Sequence, residues 1–326
     1  MDELDRQILT TIQAALPIDA RPFDALASRL GTGPEEVLRR VRRMQDNGVI
    51  RRLGPVFDSA RLGYVSTLVA AQVPPDRLAD VAERVGRLAG VTHSYERTHA
   101  YNLWFTLTAA APAQLDQALE RLRQDTGVGE FHSLPALAVY KIRVHFDLTE
   151  DTAPDATAPP GAPGQTQPLS EAEKRLVRLI QDGLPAEREP LAGVARQMGW
   201  PAARVVDQVR AWLVTGVIRR FGAVVRHQAL GFAANGMAVF RVPAETVDAA
   251  GRQLAAYPQV SHCYRRPPLP GFPYNLYAMV HGRSEAEVRC VVGQMAREAA
   301  LPDYDVLFST REFKKVSMRY FLEEGN

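Results

Sequence analysis

Apolar residues at the start of the chain recur three and four positions apart. Leu4, Ile8, Leu9 and Ile12 make one stripe, which Leu16-Pro17 stops, and the spacing predicts a helix. A short second helix is predicted from Phe23 to Leu30, ended by Gly31. Pro34 opens a third over Glu35 to Asp46, where Val37, Val41 and Met44 share a face and Gly48 closes the end. Val49 to Val56 then reads as extended chain, and three short helices followed by a strand are the plan of a winged helix-turn-helix. Downstream, Tyr64 to Val73 is strand-like and Asp76 to Leu88 is an amphipathic helix. His93-Ser94 and Asn102 to Thr108 form a strand pair, Pro112 to Gln124 a helix and Ala138 to Phe146 a last strand. That β-α-β-β-α-β order is the ferredoxin-like split unit.

The same pattern runs a second time. Helices are predicted over Lys174 to Asp182, Leu191 to Met198 and Ala202 to Thr215, with an extended segment over Val217 to Val225. Strands over Gly236 to Val242, Ser261 to Tyr264, Asn275 to Val280 and Phe313 to Tyr320 alternate with helices over Ala244 to Tyr257 and Ser284 to Ala299. Whole words return as well. Gly48-Val49-Ile50-Arg51-Arg52 recurs 168 positions later as Gly216-Val217-Ile218-Arg219-Arg220. Val91-Thr92-His93-Ser94-Tyr95 recurs as Val260-Ser261-His262-Cys263-Tyr264, and Tyr101-Asn102-Leu103-Trp104 as Tyr274-Asn275-Leu276-Tyr277. A period this long marks a duplicated domain, since solenoid units run from about 20 to 50 residues. The expected fold class is α+β, a tandem duplication of a winged helix-turn-helix plus a ferredoxin-like βαββαβ domain with pseudo-two-fold symmetry. Winged helices are expected over residues 1–60 and 169–228, ferredoxin-like domains over 61–150 and 229–326, and a Pro/Ala/Gly-rich linker over 151–168. Such halves pair their sheets as an intramolecular pseudo-dimer, and a further homodimer is left open.

Composition narrows the setting. At 326 residues and 46% apolar content the chain is long enough for about two domains or more. No apolar run approaches the roughly 20 residues needed to span a bilayer. The opening Met1-Asp2-Glu3-Leu4-Asp5 is acidic where a secretory signal would be basic, so a cytoplasmic protein with no membrane partner is expected. Cys263 and Cys290 are too few for a disulfide framework or a thiolate metal centre, and no metal site is expected. Residues 1–150 hold 18 Lys/Arg against 19 Asp/Glu, and residues 168–326 hold 21 against 16. Neither half has the basic excess of a nucleic-acid binder, and an anionic small molecule fits the imbalance at least as well.

Repeated polar words suggest paired binding surfaces, because selection for a core alone would keep only apolar patterns. His93 and Tyr95, like His262 and Tyr264, stand two apart on predicted strands and so share a face. Arg97 and Arg265 follow them, and Arg51-Arg52 and Arg219-Arg220 follow the third helix of each half. A solvated face is the plain reading of an isolated Arg pair; repetition in both halves favours bidentate capture of carboxylates. His99 precedes Tyr101-Asn102 in the first half, whereas the second half has the apolar run Pro267 to Pro273 before Tyr274-Asn275. Aligning Tyr140-Lys141 with Phe313-Lys314 sets Ala138 opposite Arg311, so each half keeps one polar group the other lacks. Trp104, Phe105, Phe272 and Tyr277 read first as core, while His132, His145, His227 and His281 have no counterpart and read as surface or structural. Arg39, Arg40, Arg42 and Arg43 crowd the third helix, but its counterpart keeps only Arg204 and Arg210, so DNA is not expected as a partner.

A winged helix joined to a ferredoxin-like domain, with Leu4-Asp5-Arg6-Gln7-Ile8-Leu9 and Gly48-Val49-Ile50, resembles the Lrp/AsnC superfamily. The Tyr-Asn-Leu-Trp/Tyr and Thr/Ser-His-x-Tyr words resemble the siroheme decarboxylases of the heme d1 and alternative heme pathways, here as a fusion of two homologous subunits. The resemblance implies conversion of siroheme to 12,18-didecarboxysiroheme, with the iron carried by the substrate and no separate cofactor. It makes His93, His99 and His262 candidate acids or positioning groups, suited to that task by an imidazole that titrates near neutrality. Arg51, Arg52, Tyr95, Arg97, Tyr101, Asn102, Arg219, Arg220, Tyr264, Arg265, Tyr274, Asn275, Arg311 and Lys314 are the candidate substrate-binding residues. A histidine on the substrate iron stays open, as do a DNA-binding regulator and a carrier that performs no chemistry.

Overall fold

Two acidic side chains start the first helix. Asp2 accepts the Asp5 N–H at 2.9 Å and Asp5 accepts the Asp2 N–H at 3.1 Å, a reciprocal cap that satisfies two helix-end donors. Ser170 and Glu173 form the same box 168 residues later. The computed structural model describes residues 1–142, 168–225 and 234–322. The first half comprises α1 (Glu3–Ala14), α2 (Pro22–Leu30), α3 (Pro34–Asp46), β1 (Ile50–Phe57), β2 (Val65–Ala71), α4 (Leu78–Arg87), β3 (Val91–Arg97), β4 (Leu103–Ala109), α5 (Pro112–Thr126), β5 (Phe131–Pro135) and β6 (Ala138–Ile142). The second comprises α6 (Glu171–Ile180), α7 (Ala192–Met198), α8 (Ala202–Val214), β7 (Ile218–Val225), β8 (Ala234–Phe240), α9 (Val247–Ala255), β9 (Val260–Arg265), β10 (Leu276–Gly282), α10 (Glu285–Glu298) and β11 (Tyr304–Lys315).

The halves meet at two levels. β1 and β7 pair antiparallel, with Gly54 opposite Gly222. These glycines are counterparts in the repeat, so the pseudo-two-fold axis passes between them. A Cβ on Gly222 would stand 2.3 Å from the Ile12 carbonyl oxygen, which explains why the crossing point lacks a side chain. Side chains from α1 to α3 and from α6 to α8 then share one buried core.

The remaining strands form one nine-stranded sheet in the order β5-β2-β4-β3-β11-β8-β10-β9-β6. The last strand of each half crosses over. β11 pairs with β8 through Tyr304 to Phe308 and then with β3 from Ser309 to Lys315, while β6 pairs with β9. The predicted end strands are corrected accordingly. Ala138 to Phe146 is preceded by β5, a strand the apolar pattern did not mark, and its residues 143–146 lie outside the described residues. Phe313 to Tyr320 becomes Tyr304–Lys315, because pairing with two separate partners extends the strand backward into a segment that looks loop-like by its Pro302 and acidic residues.

Each half-sheet packs its helices on one face, over Leu103, Phe105 and Leu107 in the first half and Leu276, Ala278 and Val280 in the second. The opposite faces share a single cluster in which Trp104, Met237, Val239, Tyr277 and Leu307 surround Phe272. Phe272 comes from the Pro267–Pro273 insertion and is wholly buried. Among the described residues no helix is long and apolar enough to cross a membrane.

Candidate active site

His93, Tyr95 and Arg97 alternate along β3, and His262, Tyr264 and Arg266 alternate along and just beyond β9. Successive strand residues point to opposite faces, so each triplet shares a face. All six line one cavity of about 400 Å³ between the halves. A larger cavity of about 790 Å³ lies against the β1/β7 ribbon, lined by Arg51, Arg52, Thr92, Glu312 and Tyr320 among others. His93, Thr106 and Lys315 line both, so the two spaces adjoin at His93.

A β-bulge aims each histidine. Val91 pairs with Leu107 but His93 with Thr106, and Val260 pairs with Val280 but His262 with Met279. The extra residue is Thr92 or Ser261, and the distortion brings its hydroxyl beside the following imidazole. Thr92 Oγ1 lies 2.9 Å from His93 Nδ1, and Ser261 Oγ lies 2.9 Å from His262 Nδ1. With Nδ1 engaged, Nε2 is left for a bound molecule. Burial pushes both histidines down to about 4, helped for His93 by Lys315 and Arg51, and for His262 by His281, His93, Arg219 and Arg266.

Three arginines lining these cavities, Arg52, Arg97 and Arg266, and Arg220 outside both, lack anionic partners among the described residues. Arg52, Arg97, Arg220 and Arg266 each keep a buried Nε–H without a hydrogen-bond partner. Each anchors its guanidinium by Nη1 on a backbone carbonyl: Pro55 at 2.8 Å, Leu307 at 2.9 Å, Ala223 at 2.9 Å and Leu134 respectively. Among the described residues none of the four pairs with a carboxylate. Burial lowers Arg97 and Arg220 to about 10, which leaves both charged at neutral pH. A buried unpaired cation is costly, and the carboxylates of a ligand would relieve that cost.

Other sequence candidates lie elsewhere. Arg265 points away from the cavity to Asp248, 3.7 Å off, and its place is taken by Arg266, which strand parity with His262 and Tyr264 could have identified. Arg219 pairs with Asp58 at 2.8 Å, and exposed Arg51 donates to the Lys315 carbonyl at 3.1 Å while lining the larger cavity. Lys314 caps the end of α4 on the Gly86 and Leu88 carbonyls, and exposed Arg311 lies over the Phe313 ring. His99 accepts the Tyr101 N–H at 3.0 Å and packs edge-on against Phe272, outside both cavities. Tyr101 donates its hydroxyl to the Pro270 carbonyl at 2.9 Å, and Tyr274 packs on Phe272.

Asn102 and Asn275 each clamp a backbone segment. Asn102 accepts from Val73 N–H at 3.0 Å and donates to its carbonyl at 2.8 Å; Asn275 does the same to Val242 at 2.9 and 2.8 Å. Asn275→Ala is expected to destabilise the fold by about 1–3 kcal/mol in denaturant titrations, by leaving backbone groups unpaired, with ligand affinity unchanged.

The model of the AsnC-like ligand binding domain matches residues 61–141 and 229–314, and that of the siroheme decarboxylase NirDL-like HTH domain matches 5–51 and 173–219. The siroheme decarboxylase of Hydrogenobacter thermophilus is 36% identical over 324 residues, covering 99% of this chain and 96% of that protein. The chain belongs to the siroheme decarboxylase family. The siroheme decarboxylase NirDL subunit of Paracoccus denitrificans is 36% identical over 97% of this chain and 96% of its own. A crystal structure of the siroheme decarboxylase NirDL in complex with an iron-uroporphyrin III analogue aligns with a TM-score of 0.77 at 33% identity, covering 99% of this chain and 96% of that one.

The helix-turn-helix units of this siroheme decarboxylase family member hold their arginines internally. Arg40 reaches Asp2, Asp5 and Glu36, Arg43 reaches Asp5, Arg39 reaches Glu36, and Arg42 donates to the Ala186 carbonyl of the other half. On α8, Arg204 stacks on Trp200 and Arg210 bonds to the Ile18 carbonyl.

The histidine shifts have a sign. The pKa values of His93 and His262 fall from an ordinary 6.5 to about 4 on folding, so the unfolded chain binds more protons between those values. The free protein is therefore expected to lose stability as pH drops from 6.5 toward 4. Carboxylates of a bound ligand raise the same pKa values, so binding near pH 6 should take up protons. Calorimetric titration in buffers of different ionisation enthalpy measures that uptake.

Proposed function

We propose that this chain removes two acetate carboxylates from siroheme as carbon dioxide, giving 12,18-didecarboxysiroheme, and works in the cytoplasm. The observation that carries this reading is the convergence of two His-x-Tyr-x-Arg faces on one cavity whose buried guanidinium groups lack carboxylate partners. A macrocycle fringed with carboxylates supplies the missing anions. Arg97 and Arg266 hold non-reacting carboxylates, and Tyr95 and Tyr264, whose phenols burial keeps protonated, donate hydrogen bonds to them. The substrate brings its own iron, and no separate cofactor enters the chemistry.

In each round the bond between the acetate methylene and its carboxylate carbon breaks and carbon dioxide leaves. The electron pair stays with the methylene carbon, delocalised into the macrocycle. An imidazolium Nε2–H then protonates that carbon to a methyl group and becomes neutral imidazole. His93 and His262 are the candidate donors, since both line the cavity with Nδ1 occupied. Substrate carboxylates offset the burial that keeps them neutral in the free protein. Free thiols at Cys263 and Cys290 fit a reducing compartment.

Anaerobic incubation of the purified protein with siroheme, followed by mass spectrometry, tests the reading. Product lighter by two carbon dioxide units supports it. Tight binding with unchanged siroheme would leave a carrier, and no binding at all would leave neither.

A further inference from the structure

The cavity between the halves is close to two-fold symmetric. His93, Tyr95 and Arg97 are matched by His262, Tyr264 and Arg266. The two arginines also anchor alike, Arg97 on the Leu307 carbonyl and Arg266 on that of Leu134, and each lies over its tyrosine ring, 5.6 and 4.8 Å from the centroid. A ligand can enter such a cavity in two orientations of nearly equal energy, since each offers it the same groups. A choice between them needs a group that one half has and the other lacks.

Several unlike pairs surround the cavity, but most spend their polar atoms within the protein. Lys315 meets Glu312 at 3.8 Å, Thr106 meets Thr92 at 2.8 Å, His281 meets Ser261 at 2.7 Å, and Asn235 is exposed. The pair at the last position of the Tyr-Asn-Leu-Trp/Tyr words is different. Trp104 stands beside Tyr95 and Tyr277 beside Tyr264, so an indole and a phenol hold equivalent places on the cavity. Trp104 donates its Nε1–H to the Tyr101 carbonyl at 2.6 Å, and an indole has no other donor. The Tyr277 hydroxyl is buried and has no hydrogen-bond partner among the described residues. An unpartnered buried hydroxyl is a cost that a phenylalanine ring of the same shape would avoid.

We propose that the Tyr277 hydroxyl donates, beside the Arg266 guanidinium, to one non-reacting carboxylate of the substrate and so fixes which way round the macrocycle lies. This deepens the decarboxylase reading above. The second-half side then offers a carboxylate the free Nε–H of Arg266 and a phenol, where the first-half side offers Arg97 with an indole already engaged. A phenol bond to a carboxylate is charge-assisted, about twice as strong as a neutral one. Burial keeps the phenol protonated and so a donor. Reversing the macrocycle would bring a different edge to His93 and His262. Tyr277 is therefore a specificity-determining residue, which selects the acetates that reach the histidines and takes no part in proton transfer.

Tyr277→Phe removes one oxygen and keeps the ring. Its denaturant midpoint is expected to equal or exceed that of the wild type, because no hydrogen bond within the protein is lost; a lowered midpoint means the hydroxyl is bonded internally and overturns the proposal. Absorbance titration of the full-length protein with iron-uroporphyrin III should give a Kd about 10- to 100-fold above wild type, the scale of one hydrogen bond to a charged group. The same substitution should cost much less in an Arg266→Gln background, since both donors serve one carboxylate. Anaerobic single turnover of siroheme, quenched after the first carbon dioxide, should give one positional isomer of the monodecarboxylated product from the wild type and a mixture from Tyr277→Phe. A Kd within twofold of wild type, fully additive losses, a mixture from the wild type or a single isomer from the variant each overturns the proposal. Absence of product from wild-type protein counts instead against the decarboxylase reading, while the stability and binding measurements still decide the role of Tyr277.

Discussion

His262→Ala is expected to slow carbon dioxide release from siroheme by about 10²- to 10⁴-fold, the usual worth of a positioned general acid. Affinity for siroheme should stay within a few-fold of wild type, because the guanidinium groups remain. The two quantities separate because the proton is needed only as the carbon–carbon bond breaks. His93→Ala is expected to slow release on the same scale, since His93 lines the same cavity with its Nδ1 likewise engaged. Single-turnover kinetics under anaerobic conditions measures both, with the monodecarboxylated intermediate resolved by mass. A His262→Ala rate within threefold of wild type would remove His262 from the chemistry.

Phe272→Ala should be the most damaging single truncation at the junction of the halves. Its ring is fully buried and lies 4.9 to 6.4 Å, centroid to centroid, from His99, Tyr101, Trp104, Tyr274 and Tyr277. Losing a buried Phe typically costs about 3–5 kcal/mol, the transfer term plus the cavity left behind. That is a large share of the roughly 5–15 kcal/mol that holds a domain folded. Denaturant titration should show a lower midpoint with unchanged slope. Trp104 and Tyr277 also line the smaller cavity, so siroheme affinity should fall alongside stability. A midpoint shift worth less than about 1 kcal/mol would mean that the insertion is not the plug its burial suggests.

The helical half of the fold was legible because its signals are local. Pro34, Gly31, the Asp2 and Ser170 caps and the three-to-four spacing each act within a turn or two. The last strands were less legible, since the partners of β11 lie in two different half-sheets and no local pattern records that. The candidate site is legible in part. His93, Tyr95, Arg97, His262 and Tyr264 meet in one cavity, as a repeated strand word suggests. Arg266 is readable by strand parity with His262 and Tyr264, whereas Arg265 takes the opposite parity and meets Asp248. His281 was not readable, because its contact with Ser261 depends on a bulge that shifts register by one residue. The Tyr-Asn words show the opposite trap: polar residues repeated in both halves that serve the backbone.

The crossing of β6 and β11 bears on how such a protein can be encoded. β6 of the first half adds to β9 of the second, and β11 runs from β8 of its own half onto β3 of the other, so neither half's strands are fully paired alone. An isolated half would display raw strand edges, a known route to aggregation. The covalent joint between the halves is therefore not what holds the pair together. Joining them in one reading frame guarantees equal amounts of two unlike halves and makes their encounter intramolecular. It also favours the pairing of unlike halves over like ones, so each half can drift in sequence while keeping its fit to the other.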